Sequence, residues 1–404
     1  MKLSNQEQEI LEGKHGDGQK KAIELLVAVG KAFDAERLVD VSRTHVALSA
    51  QEGDTYWCEL LVENGATCQV PCTTNPGWDA HVLSPRYAVT EDELALLRRT
   101  YDVYNRIGAV LTQNCTPELE FNVPAFGEVV AFSESSATPY VNSVLGARSN
   151  RESSVSALAS AVVGKTPLYG LLLDENRLGT MLFNVGFVPK EAYDWGLLGY
   201  YVGMHASNRI PVLQFPELPS RPTPAQLLYF GAEAATSGSV AMFHVIGVTP
   251  EAPTQEVAFG SKSPLETIDV SIQDLFRIEE RLSDPPTAIN MVMVGCPHYT
   301  YNQVCQLDRL MKGHQSKVPF FVLVSDTTLS VAVKSGKKQH LEQCGVDLIA
   351  GTCVDQPCFK SFEAGTFITD SPKAGYYRKG RGQKGVIIRR MAQCVKAAIT
   401  GRVK

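Results

Sequence analysis

Three of the ten cysteines stand where side chains of this type could do metal chemistry: Cys115 in Gln113-Asn-Cys-Thr-Pro117, Cys296 in Val294-Gly-Cys-Pro-His298 and Cys353 in Ala350-Gly-Thr-Cys353. Thiolates hold iron–sulfur clusters and zinc, but free cysteine is also among the most buried residue types, so packing accounts for any single one. A compact C-x-x-C-x-x-C run is absent, which argues against an electron carrier with four protein ligands. Three dispersed ligands leave an iron open, and an open metal is a Lewis acid for a hydroxyl or carboxylate. Cys58, Cys68 and Cys72 are closer in sequence, yet a zinc signature pairs two short-spaced couples and the second couple is missing. Cys305, Cys344 and Cys394 fall at helical positions and Cys358 in a loop, where packing or a surface thiol suffices.

A second concentration of functional groups follows Gly127. Within eighteen residues the chain carries Glu134, Ser135, Ser136, Asn142, Ser143, Arg148, Asn150 and Arg151 among small and apolar residues. A solvated loop rarely alternates such groups with Val, Leu and Ala, so the stretch is read as the wall of a polar ligand site. Arg378, Lys379, Arg381 and Lys384 form a basic run near the end that reads as a solvated tail.

The elements that must position these residues follow from hydrophobic spacing. Helical periodicity runs over 5–38 (Ile10, Leu11, Ile23, Leu25, Leu26, Val29, Phe33) and over 91–113 (Leu94, Leu96, Leu97, Tyr101, Tyr104, Ile107). Between them, 44–75 reads as strand and loop, with a turn by composition at 71–76. Proline and glycine clusters at 211–224 and 246–264 read as lobe junctions. In the last third, 289–294, 301–313, 318–324, 328–343 and 346–350 spell βαβαβ, hence a parallel sheet. Ligands in such sheets lie beyond the carboxyl ends of the strands, where Cys296 and Cys353 are expected together. Cys115 is expected directly after a helix.

At 404 residues and 44% apolar content the chain can bury a large core, as one big domain or two to three lobes. A net charge of −5 gives no basic face for nucleic acid. The first residues lack a secretory signal, and no run approaches the ~18 apolar residues of a membrane span. The reading is a soluble cytoplasmic protein with reduced thiols.

The motifs Cys115-Thr-Pro117, Glu134-Ser-Ser136, Asn142-Ser-Val-Leu-Gly-Ala-Arg148, Asn150-Arg-Glu152, Gly164-Lys-Thr-Pro-Leu-Tyr-Gly170, Leu173-Asp-Glu-Asn-Arg177, Gly295-Cys-Pro-His298 and Thr352-Cys353 together resemble the large, catalytic part of aconitase X, dehydratases distantly related to aconitase. The resemblance spans nearly the whole chain. It implies an α/β, aconitase-like, multi-lobed catalytic unit over 1–404 with parallel βαβ sheets around an iron–sulfur crevice. Cys115, Cys296 and Cys353 are implied as ligands of a cluster of unassigned nuclearity. Ser49, Thr74, Asn75, Glu134, Ser135 and Lys373 are implied as the substrate site, with Glu134 and Ser135 as the candidates for catalysis. The family's smaller swivelling domain, which supplies a serine as base, is expected on a separate small subunit.

The expected reaction is loss of water from a small β-hydroxy acid, with cis-3-hydroxy-L-proline preferred and mevalonate 5-phosphate as the alternative. A cluster-free scaffold subunit is the non-enzymatic alternative. Two departures from the family pattern stand out. Gly351 replaces the aspartate before Thr352-Cys353, and Val324-Ser-Asp326 replaces Thr-Ser-Arg, removing a carboxylate clamp. Both departures are expected to alter substrate recognition.

Overall fold

The computed structural model describes residues 1–48, 51–85, 87, 89–218, 220–285 and 288–403. Its strands, in chain order, are β1 Leu38–Asp40, β2 Thr44–Val46, β3 Cys72–Thr74, β4 Ala131–Phe132, β5 Lys165–Pro167, β6 Met181–Val185, β7 Pro211–Gln214, β8 His244–Val245, β9 Glu266–Val270, β10 Met291–Tyr299, β11 Phe320–Val324, β12 Val346–Ala350, β13 Thr366–Thr369 and β14 Gly385–Ile388. They form four sheets, ordered β1-β5, β3-β2-β4, β8-β7-β6-β9 and β12-β11-β10-β13-β14, and every pairing in the last three is parallel.

The helical periodicity at the N-terminus resolves into two helices, Asn5–Leu11 and Asp17–Ala32. Ser4 and Glu7 close a capping box on the first, and the chain breaks at the turn through Gly13 and Gly16. The second helix buries Ala22, Ile23 and Leu26 in a core shared with Leu158 and Ala161 of the helix Ser154–Val163. The periodic stretch from 91 ends as a helix at Arg106, so Cys115 stands well beyond it, at a bend just before the short turn Pro117–Leu119.

Three other expectations change. The strand-and-loop reading of 44–75 missed the amphipathic helix Glu52–Glu63. The segment 71–76 is no simple turn: its three central residues are the buried strand β3, because β-compatible threonines pair with β2 while the prolines lie outside the ladder. The cluster at 211–224 begins with strand β7 itself, and that at 246–264 joins β8 to β9 within the same β8-β7-β6-β9 sheet.

The βαβαβ pattern is present as expected. Strands β10, β11 and β12 alternate with the helix Tyr301–Met311 and with a helical stretch divided into Asp326–Lys334 and Lys337–Gln343. Strand β10 runs past Val294 to Tyr299, and its register against β11 shifts between those two residues. Cys296 therefore sits inside an irregular strand end, which re-aims it as a bulge does.

Candidate active site

Cys115, Cys296 and Cys353 line one cavity of about 290 Å³, although 181 and 57 residues separate them in sequence. The segments that carry them are joined through His298. Its backbone N–H donates to Cys115 Sγ at 3.3 Å, and its buried ring donates from Nε2 to the Thr352 carbonyl at 3.0 Å, one residue before Cys353. Burial holds this imidazole neutral, its pKa pushed down to about 4. The Asp355 N–H donates to Cys353 Sγ at 3.5 Å, and the Cys353 N–H to Gly77 O at 3.0 Å. Burial pushes all three thiols up, Cys353 to about 11.

This donor set fits a cluster better than a single ion. Among the described residues no three His, Cys, Asp or Glu side chains converge closely enough to share one ion. A cluster is a wider object whose irons are met by different thiolates, and backbone N–H groups aimed at ligand sulfurs are among the features that tune it. Thiols raised by burial need a cationic centre to ionise, which a cluster iron supplies.

Beside the thiols, Glu134 and Lys373 form a buried ion pair, Nζ to Oε1 3.2 Å, with side chains only 9% and 6% exposed. Burial opposes the charge on Glu134, but Lys373, Asn75 and Ser136 outweigh it and hold the carboxyl down at about 2. Glu134 Oε1 accepts from the backbone N–H and hydroxyl of Ser136 at 2.9 and 2.7 Å and from Ser135 Oγ at 3.1 Å. Lys373 donates to Ser135 Oγ at 2.9 Å, and Glu134 raises its pKa well above the ordinary value in spite of burial. Ser136 Oγ also lies 3.1 Å from Cys115 O, tying the carboxylate's loop to a thiol-bearing one.

Asn75 donates from Nδ2 to Glu134 Oε2. Its Oδ1 accepts from His45 Nε2 at 2.7 Å, so His45 Nδ1 must accept from Thr73 Oγ1 at 2.8 Å, and Thr73 in turn accepts from Asn122 Nδ2 at 2.7 Å. Burial pushes His45 down to about 4 and keeps the imidazole neutral. Strands β2 and β3 run in parallel, with His45 paired to Thr73 in the register, and this sets the chain of donors.

The structure thus gathers Cys115, Cys296, Cys353, Asn75, Glu134, Ser135 and Lys373 around one cavity. Thr74 lies behind its wall, where its carbonyl accepts from the Asn114 N–H at 3.0 Å and steadies the approach to Cys115. Ser49 falls outside the described residues. Most other polar groups of 127–152 brace the fold. Asn142 bonds Ser149 and the Ala241 carbonyl, Arg148 reaches the Leu172 carbonyl and Asp174, and Asn150 holds the Leu171 N–H. The sequence reading missed His45, Tyr377, Asp355 and Arg381. For the last two the signal was present, one lying two residues after Cys353 and the other eight after Lys373.

Asp326 and Gly351 do not line this cavity. They face a second one of about 440 Å³ with Trp78, Asp79, His81, Leu94 and Gln113, and the two linings share no residue. The expectation that these departures reshape the thiol-lined site is corrected accordingly: Asp326 opens the helix Asp326–Lys334, capped by Ser325, on the wall of the second cavity.

Residues 1–175, 179–280 and 289–400 match the aconitase X first, second and third domains, respectively. The phosphomevalonate dehydratase large subunit of Thermococcus kodakarensis is 35% identical over 390 residues, 95% of this chain and 96% of that protein. The cis-3-hydroxy-L-proline dehydratase of Pseudomonas aeruginosa is 32% identical over 415 residues, 98% of this chain and 70% of that protein. The crystal structure of aconitase X from Thermococcus kodakaraensis in its holo-form superposes with a TM-score of 0.89 at 33% identity, covering 98% of this chain and 100% of that one. Fold and relatives define an enzyme of the hydro-lyase class, a dehydratase built on parallel α/β sheets. Within that class, the chain belongs to the aconitase X family. Among the described residues no helix is long and apolar enough to cross a membrane.

Proposed function

We propose that this chain dehydrates a small, zwitterionic β-hydroxy acid, cis-3-hydroxy-L-proline in the first instance, with Cys115, Cys296 and Cys353 holding an iron–sulfur cluster and a separate small subunit completing the site. The observation that carries this reading is the convergence of three thiols from distant segments on one cavity that also holds the Lys373–Glu134 pair. When bound, the cluster supplies an open iron, a Lewis acid for the leaving hydroxyl.

The chain's own groups bind and orient. Lys373 stays protonated and donates to Ser135 Oγ, so that hydroxyl is a poor base. Glu134 is fully ionised at neutral pH but has little affinity for a proton, which makes it a fixed anion that positions Lys373, Ser135 and Asn75. Removal of the proton next to the substrate carboxylate accordingly falls to a base from the partner. That division of labour supports a two-chain enzyme, as does the name of the Thermococcus kodakarensis relative, a large subunit.

Charge balance supports the amino-acid substrate. The cavity's cations are Lys373 and Arg381 and its carboxylates Glu134 and Asp355, a balance suited to a zwitterion, and about 290 Å³ must accommodate cluster and substrate together. Mevalonate 5-phosphate is the second reading, favoured because this chain spans 96% of a phosphomevalonate dehydratase large subunit but 70% of the Pseudomonas hydroxyproline enzyme. Anaerobic reconstitution with iron and sulfide, addition of the family's small subunit and assay of both substrates tests the proposal. Water loss from cis-3-hydroxy-L-proline is the expected result; colourless protein inactive on both acids sinks it.

A further inference from the structure

The helix Pro372–Gly380 presents Lys373 and Tyr377 to the cavity, and Arg381, still helical in backbone as its C-cap, continues the same stripe at i, i+4 and i+8. The stripe descends over about 12 Å from rim to floor. At the floor Lys373 is committed to Glu134 and Ser135. At the rim Arg381 is 37% exposed and held differently. Its Nε–H and Nη2–H donate to Asp355 Oδ1 and Oδ2 at 2.7 and 3.1 Å, and Nη2 also to Asp355 O at 3.0 Å, while Nη1 makes no hydrogen bond to any described residue. Asp355 is itself fixed by its N–H on Cys353 Sγ. The guanidinium is thereby held beside a thiol-bearing loop with one edge open.

The remaining basic residues of this run are engaged elsewhere. Arg378 is buried and bonds Phe359 O and Gln383, Lys379 pairs with Asp284, and Lys384 is not part of the cavity wall. Asp326, which stands where the family pattern has an arginine, lines the other cavity.

We propose that Arg381 is the substrate's carboxylate clamp, its free Nη1 edge taking the anion while Asp355 fixes its plane. This assignment rests on the dehydratase reading above. Arginine suits the role because its planar fork stays charged and pre-oriented, and lysine at the same place lacks both the fork and the Asp355 grip.

The test uses the cluster-loaded two-chain enzyme with Arg381→Gln and Arg381→Lys. Kinetics on cis-3-hydroxy-L-proline are read alongside calorimetric binding of pyrrole-2-carboxylate, a planar ring carboxylate, and of its uncharged carboxamide. Expected are a KM at least tenfold higher in Arg381→Gln with kcat within threefold, and loss of the wild type's preference for carboxylate over carboxamide. An unchanged visible spectrum shows that the cluster is intact, and Arg381→Lys should fall between. Unchanged KM and unchanged carboxylate binding overturn the clamp. Should the wild type act only on mevalonate 5-phosphate, a tenfold rise in KM for that acid keeps the clamp and sinks the hydroxyproline reading, and no rise sinks both.

Discussion

Lys373 Nζ lies 3.2 Å from Glu134 Oε1, and this one buried ion pair fastens the helix that follows β13 to the loop that follows β4. The two residues are 239 apart in sequence, in the first and third aconitase X domains, so the pair forms only when both are in place. Removing one member strands a charge without solvent.

Lys373→Met should therefore destabilise the protein by about 3–5 kcal/mol, the typical cost of breaking a buried pair from one side. The double variant Lys373→Met/Glu134→Gln should recover much of that loss. Urea unfolding of the four proteins measures the coupling, and additive effects would show that the pair does not act as a unit.

The thiol assignment predicts a spectroscopic pattern. Serine at Cys115, Cys296 or Cys353 should each abolish the visible absorbance of reconstituted protein, whereas Cys68→Ser should leave it intact. Bleaching by Cys68→Ser would place the cluster in the wrong group of cysteines.

Glu118 gives a pH dependence with a defined sign. Its carboxyl is buried, neither oxygen has a hydrogen-bond partner among the described residues, and burial pushes it up to about 8, from an ordinary 4.5. A raised folded value means stability that is full below about 4.5 and lost as the pH climbs through about 8. Glu118→Gln should remove this share, gaining on wild type by on the order of a few kcal/mol between pH 5 and pH 9. Parallel pH–stability curves for the two proteins would refute the assignment.

Gly295, the residue before Cys296, has φ +97, and a Cβ there would stand 2.2 Å from the Leu323 carbonyl oxygen on β11. Neither the backbone nor that strand carbonyl can yield cheaply. Gly295→Ala should cost about 3 kcal/mol or more and weaken cluster retention, read by unfolding and by visible absorbance together.

Asp326→Asn should change KM less than twofold, since Asp326 lines the second cavity. A tenfold change would show that the two cavities communicate.

Much of the frame was legible in one dimension. Hydrophobic periodicity locates the βαβαβ unit through β12, and parallel-sheet logic places Cys296 and Cys353 at one edge, because strand ends are where backbone leaves a ladder and side chains can converge. Boundaries failed where a neighbour decided them. Cys72–Thr74 is a strand only because β2 lies beside it, and Glu52–Glu63 is a helix although its surroundings read as strand and loop.

What the amino-acid sequence determined by itself is the set of reactive types, the local order of helices and strands, and a motif set colinear with aconitase X. The tertiary structure alone decided which of those groups face one another. Nothing in the spacing of His45, Asn75 and Glu134 announces a shared chain of hydrogen bonds, whereas Asp355 and Arg381 at least stand close in sequence to Cys353 and Lys373. Hydrogen bonds and ion pairs act over about 3 Å, and only folding brings residues hundreds of positions apart within that distance. The three cysteines could be nominated from sequence, but the neutral His298 that joins their loops, and the second cavity that claims Asp326, exist only in three dimensions.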